Sequence, residues 1–457
     1  MATNSDSNAS LTFSFSDFPE DVQFCILSFL DQSELAAFSC TSKRFDSMCR
    51  DDARLWFSMC DRRWGSKTLI KKWGNGKISF KLLYRTLLEY ENLIGFWRRS
   101  GTSNWTAATP PSPLLFFEWG PSYITGFRVS PSQMGTWQVT KSPFLWITLT
   151  SKGKPVNYLD PEGKLELSEN LVDSGEVGNL ESELIPVNLC FMGKCHFVVE
   201  EDVNFYGSST SSPNGAFGKV SSSGNVRGEE YEDISGSPGS LPDRFMSEIY
   251  QYFANRTSPG GNGSSRRQRR REKERQGRRK LEPEHFVKIV NCSPTPARPL
   301  QGLWKGVSDD RSLQFYLITY DDIGGIACRV VGESSRPLGG YTPVFWSSNT
   351  NMTEPPFSAY EEHLYYSRIH LRPPAEADES SEHQPRTDLG AVSRILHMTS
   401  SYDLVIPGTA TNPLQVEGRI WQYENGTFGF GFLRNSYTTD LKYIAQDGHL
   451  LDTVDSL

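Results

Sequence analysis

The sequence predicts an α+β protein: a short helical module at the N-terminus, a linker helix, and then a large antiparallel β-barrel or sandwich interrupted by disordered insertions. Three observations predict it. Apolar side chains in residues 18–64 recur every three to four positions, the spacing of one helix face. From residue 95 onward, short runs of aromatic and β-branched residues alternate with Gly, Pro and Ser, which marks the short strands of a sandwich or barrel. Long tracts of Ser, Gly and like charge break those runs and carry too little apolar surface to fold.

Taken in order, the first helix starts at Pro19 and places Val22, Ile26, Phe29 and Leu30 on one face. Asp31 and Ser33 interrupt it, and Ser33 opens a second helix through Leu35, Ala36 and Phe38 that stops near Cys40. Thr41 or Ser42 caps a third, which carries Phe45 and Met48. A further apolar set, Leu55, Trp56, Met59 and Cys60, ends at Arg62, Arg63 and Trp64. About 45 residues is close to the lower limit for an independent core. Some of this apolar surface must therefore meet either the rest of the chain or another protein. Leu82, Leu83, Leu87 and Leu88 then predict one linker helix ending before Gly95.

The residues Phe18-Pro19, Val22, Ile26-Leu27-Ser28-Phe29-Leu30, Leu35, Cys40, Ser42-Lys43-Arg44-Phe45 and Leu55-Trp56 carry a resemblance. The stretch resembles an F-box, the adaptor-binding module of SCF-type cullin–RING ubiquitin ligases. Phe18 stands where that family more often has Leu, and Phe45 where it more often has Trp; both replacements keep a large apolar group. The resemblance implies a three-helix module docking on a Skp-family adaptor through Pro19, Val22, Ile26, Leu27, Leu30, Leu35, Phe45, Leu55 and Trp56. Cullin and RING subunits would be reached through that adaptor. The chain would then be a non-catalytic substrate-recognition subunit. This covers about a tenth of the sequence and says nothing about the substrate.

The β region contains an internal echo. Gly95-Phe96-Trp97-Arg98 is matched by Gly302-Leu303-Trp304-Lys305, and Arg128-Val129 by Arg329-Val330. A weaker third echo is Gly418-Arg419-Ile420-Trp421. The runs LLFFEW, YITGFRV, GTWQV, FLWITLT, KLELS and KCHFVVEEDVNFY read as strands. The G-x-W opening resembles the first strand of lipocalin-like barrels, and the whole resembles F-box-only proteins whose substrate domain is an antiparallel barrel. Candidate substrate contacts are Trp97, Arg128, Trp304 and Arg329, since an arginine suits a carboxylate or phosphate; the alternative is that the tryptophans plug the fold and the arginines stack over them. The resulting boundaries are 15–64 for the F-box, 65–94 for the linker, 95–206 and 283–446 for the two parts of the β region, and 447–457 for a tail. A Ser/Gly-rich and basic insertion with one short helix fills 207–282, and 373–388 is a disordered loop. Whether the β region is one unit or two stays open.

The basic run Arg266, Arg267, Arg269, Arg270, Arg271, Arg278, Arg279 and Lys280 reads as a solvated charged loop, as a nuclear-import signal, or as a phosphate contact. A net charge of -7 argues against bulk nucleic-acid affinity. There is no apolar run of about 18 residues for a membrane span and no secretory signal. The eight cysteines are scattered, with Cys25, Cys40, Cys49 and Cys60 in helical positions that suit a small buried thiol. Reduced thiols fit the nucleus or cytoplasm. No phosphate loop, H-E-x-x-H or G-x-S-x-G occurs, so the sequence asks for no cofactor and no metal. Tyr360-Glu361-Glu362 reads as an acidic loop. Two other functions fit the same sequence: a barrel that binds a small ligand, and a nuclear scaffold whose F-box acts outside ubiquitination.

Overall fold

The computed structural model describes residues 14–100, 114–132, 136–161, 163, 184–202, 283–332, 341–347, 351–373, 390–400, 416–446 and 448–455. The 207–282 insertion with its predicted helix and basic run, the strand predicted at 164–168, and residues 374–388 of the predicted loop lie outside these.

The helical module consists of α1 (Glu20–Leu27), α2 (Gln32–Ser39), α3 (Lys43–Cys49), a π-helical turn (Asp52–Trp56) and α4 (Phe57–Trp64). Asp31, rather than Ser33, caps α2: its carboxylate accepts from Glu34 N–H, and the Glu34 carboxylate accepts from Asp31 N–H. Ser42 caps α3. The linker helix α5 (Phe80–Tyr90) starts against the module, because the Asp52 carboxylate accepts from the Phe80 and Lys81 N–H groups at 2.9 Å each. Cys49 and Cys60 are buried as expected, whereas Cys25 and Cys40 are exposed, on helix faces that turn to solvent.

Eight strands then form a closed barrel: β1 (Gly95–Ser100), β2 (Leu114–Trp119), β3 (Ile124–Pro131), β4 (Val139–Leu149), β5 (Pro155–Leu159), β6 (Ile185–Phe191), β7 (His196–Glu201) and β8 (Glu284–Lys288). Each runs antiparallel to the next, and β8 returns to β1. Closure removes the sheet edges. Among the described residues of the predicted strand GTWQV, only Val139 joins a strand; residues 136–138 turn into β4.

A second, half-open barrel repeats the plan with β9 (Gly302–Val307), β10 (Leu313–Tyr320), β11 (Ile326–Val331) and β12 (Tyr341–Ser347). It continues through β13 (Asn351–Thr353), β15 (Val392–Ser400), β16 (Val416–Tyr423), β17 (Phe428–Phe432) and β18 (Tyr437–Tyr443), and β18 pairs back to β9. Between β12 and β15 no ladder is formed among the described residues; Thr399 N–H donates to Ser347 Oγ at 3.3 Å instead. The echo in the sequence is thus a repeat of whole barrels, with β1 and β9 as the opening strands. Gly418-Arg419-Ile420-Trp421 is not an opening: it lies in β16, and Trp421 packs on the outer wall against Tyr365, 5.7 Å between ring centroids.

Tyr365 belongs to α6 (Ala359–Tyr366), which leads into β14 (Ile369–Leu371), parallel to the start of β18. The acidic triplet expected as a loop is therefore helical. Glu361 is buried and receives Arg419 through Nε and Nη2 at 3.0–3.2 Å. Arg368 donates to the carbonyls of Tyr437 and Phe432. The FGFGF pattern of β17 explains how this segment comes so close: a Cβ on Gly431 would stand 2.8 Å from Arg368 Nη1.

The barrels pack wall to wall. Phe96, Leu114, Phe116 and Val129 of the first meet Leu303, Phe315, Leu317 and Val331 of the second. Burying a side chain of this size contributes about 2 kcal/mol. The predicted tail completes the joint: β19 (Thr453–Asp455) leaves the second barrel and pairs with β4 of the first. At its other end the first barrel is closed by helices. Thr68 Oγ1 donates to the carbonyl of Gly120, Leu69 N–H donates to that of Pro121, and Trp64 lies 6.4 Å from Trp119.

Candidate functional site

The candidate residues fall in two regions: the helical module around α1 and the strands of the two barrels. On α1 and the turn that follows it, Val22, Ile26 and Phe29 follow one another at spacings of four and three, and all are exposed, Phe29 at 66%. Pro19 and Phe18 extend the row at its N-terminal end and are exposed too. Leu30 and Phe45 are half-buried. An unburied apolar row on an otherwise folded helix marks an interaction face.

That face is held from behind by polar contacts. Gln23 is fully buried; its amide donates to the carbonyls of Phe15 (3.1 Å) and Phe18 (2.7 Å) and accepts from Arg44 Nη2 (3.1 Å). It thereby ties the approach to α1, α1 itself and α3 together. Phe15, Phe38 and Phe45 form an aromatic triangle with centroids 4.5–5.6 Å apart. Arg62 lies over the ring of Phe29 at 4.2 Å, and Arg54 pairs with Glu20 at 3.0 Å, giving the apolar row a charged rim. The Glu34 backbone N–H and the Ser33 hydroxyl hold the Asp31 carboxyl below its ordinary pKa.

Four residues expected on the docking surface are not on it. Leu27, Leu35, Leu55 and Trp56 are 1%, 2%, 0% and 4% exposed. They form the module's core, and Trp56 Nε1 donates to the Cys49 carbonyl. The reason is geometric: Leu27 follows Ile26 by one residue, a 100° turn that carries it from the outer face to the inner one. Phe29, absent from the expected docking set, is the most exposed apolar side chain on α1 and its C-terminal turn. Its place seven residues after Val22 is the signal that could have found it.

Of the expected substrate contacts, Trp97 and Trp304 are both buried and make the same hydrogen bond, Nε1 to the carbonyl four residues earlier: Leu93 at 2.6 Å and Leu300 at 2.9 Å. Both indoles are sealed inside the barrels, as plugs. Arg128 faces the first barrel's interior, where Nη2 donates to the Asp160 carbonyl (3.2 Å) and the guanidinium lies 4.8 Å from the ring of Phe144. Burial pushes its pKa down, with Asp160 opposing. Arg329 is not its counterpart. The ladders set Trp97 opposite Leu115 and Leu115 opposite Arg128; in the second barrel they set Trp304 opposite Tyr316 and Tyr316 opposite Val330. The sequence echo is off by one residue, and in a strand one residue reverses the face. Arg329 consequently lies outside, donating to Thr319 Oγ1.

The basic run lies outside the described residues. Among those described, no group of three or more His, Cys, Asp and Glu side chains is placed to hold a metal ion, and no helix is long and apolar enough to cross a membrane.

With this geometry, the comparisons with known proteins are specific. An F-box-like family model matches residues 15–62, the helical module from its first turn to α4. An F-box protein of Arabidopsis thaliana is 45% identical over 455 residues, which is 98% of this chain and 99% of that protein. Likeness at that level across the module, the linker and both barrels means that the chain belongs to the F-box proteins.

Proposed function

We propose that this F-box protein is the substrate receptor of an SCF-type ubiquitin ligase. The row Pro19, Val22, Ile26 and Phe29 docks on a Skp-family adaptor, and cullin and RING subunits join through it. The β region holds a substrate protein. The chain then does no bond chemistry itself. It raises the effective concentration of substrate lysines near the thioester of a conjugating enzyme.

The observation that supports this reading is the split within α1. Phe24 and Leu27 are buried in the module's own core, while Val22, Ile26 and Phe29 are left to solvent on the other side. A helix with apolar residues on both faces has one face for its own fold and one for a partner. The linker adds mechanical sense. Asp52 caps α5, and Arg63 pairs with Glu91, so a docked module would carry the first barrel in a fixed orientation.

The test is co-purification of the full chain with a Skp-family adaptor. Ile26→Asp together with Phe29→Asp puts two carboxylates into the apolar contact, at several kcal/mol in total. The expected result is loss of the adaptor with both barrels intact. Retention of the adaptor by the double variant would remove this face from the mechanism.

A further inference from the structure

We propose that the second barrel binds a small amphipathic molecule, with a planar aromatic or branched apolar body and one hydrogen-bonding head, in the cavity at its mouth. This goes beyond the receptor reading and does not depend on it.

The cavity has a volume of about 390 Å³ and opens at the end of the barrel away from Trp304. Tyr316 and Phe430, 6.0 Å apart between ring centroids, give it aromatic surface, and Val330 and Val344 give it aliphatic walls. Asp309, Gln314, Arg434 and Asn435 add charged and amide-bearing residues to the lining. The cavity is open to solvent, so a small molecule can enter it without rearrangement of the strands. A chamber that sets aromatic and aliphatic side chains beside polar ones suits a small molecule with an apolar body and a hydrogen-bonding head.

Comparison of the two barrels shows where the space comes from. With Trp97 matched to Trp304, the ladders place Arg99 at the level of Gly306, Arg128 at Val330, and Glu284 at Thr439. In the first barrel these three polar side chains are engaged: Arg99 pairs with Glu284 at 3.2 Å, and Arg128 lies over Phe144. The second barrel has Gly, Val and Thr there. Leu441 takes the room that a side chain on Gly306 would need, while Val330 and Thr439 border the cavity. The first barrel carries charged side chains at these positions, and its copy, built on the same ladders, carries small and aliphatic ones that border a cavity.

The test uses the full-length chain and 2-naphthol, a fused aromatic with one hydroxyl, whose fluorescence reports transfer out of water. The expected result is one saturable site. Val330→Phe fills the chamber, and Val330→Arg copies the residue of the first barrel; each is expected to weaken binding at least about tenfold. Arg329→Ala, one residue away on the outer wall, is expected to leave the affinity unchanged. Thermal denaturation checks that the variants are folded, and Thr439→Met fills the same space from another strand if substitutions at 330 unfold the barrel. Absence of saturable binding by the unaltered chain, or unchanged affinity in the folded filling variants, would overturn the proposal. The readout needs no adaptor and no ubiquitin, so its failure leaves the receptor reading untouched.

Discussion

Lys305 and Asp452 form an ion pair, Nζ to Oδ2 at 2.7 Å, that joins the opening strand of the second barrel to the segment completing the sheet of the first. Lys305 is 1% exposed and also donates to the Leu451 carbonyl. Burial pushes its pKa down, and the hydrogen bond and charge of Asp452 pull it back up. Next to this pair the Val139 N–H donates to the Asp452 carbonyl at 2.8 Å, where β19 meets β4.

This arrangement makes the C-terminal segment a latch between the barrels. Asp452→Ala leaves a buried ammonium with only a carbonyl partner, at about 2 kcal/mol; half-exposure of Asp452 keeps the figure below that of a fully buried pair. Hydrogen exchange should speed up at the Val139 amide. In a Lys305→Met background, where no charge is left to orphan, the same substitution should have little further effect. Equal effects in both backgrounds would mean that the pair contributes nothing to the joint.

Gln23 supports a second prediction. Its amide uses both donors and its acceptor inside the module, which an apolar replacement cannot do. Gln23→Leu keeps the volume but gives up three hydrogen bonds, two to carbonyls and one from Arg44, at about 2 kcal/mol. Since Phe15 and Phe18 lie just before α1, the loosened part is the one carrying the exposed row. Adaptor affinity should fall by about tenfold, although Gln23 itself is buried. Wild-type affinity in Gln23→Leu would show that the approach to α1 plays no part in docking.

The contrast between Gln23 and Ile26 also shows what the sequence makes legible. The period of three to four gives the helices, and alternation with turn residues gives the strands, because both follow from which side chains leave water. The repeat of G-x-W marks both opening strands because Trp97 and Trp304 perform the same plugging task. What the pattern hides is which of two apolar faces is inner: Ile26 and Leu27 are chemically alike, and only the packing of α1 on α3 and the π-helical turn separates them. Arg128 and Arg329 were matched by neighbouring valines, yet the ladder register that distinguishes inside from outside has no local residue signature. The joint through Asp452 was hidden because a short polar C-terminus looks the same whether it is loose or paired.

The last prediction concerns acid. His196 and His285 face each other across β7 and β8 on the first barrel, Nε2 to Nδ1 at 3.1 Å, with rings stacked at 5.2 Å between centroids. Burial pushes the His196 pKa from 6.5 to about 4, and the neighbouring His285 adds to the shift. Burial lowers His285 as well, with Glu200 opposing. A folded-state value below the unfolded one means that the unfolded chain binds the proton first. The stabilisation is therefore complete above about pH 6.5 and is lost as pH falls towards 4. Between about pH 7.5 and 5.5, above the range where most carboxylates titrate, His196 alone should account for about 1 kcal/mol of lost stability. Denaturation midpoints at these two pH values in the unaltered chain and in His196→Gln measure it directly. The variant should lose most of the difference, since a glutamine has no proton to take up; the same pH dependence in both would place the acid sensitivity elsewhere in the barrel.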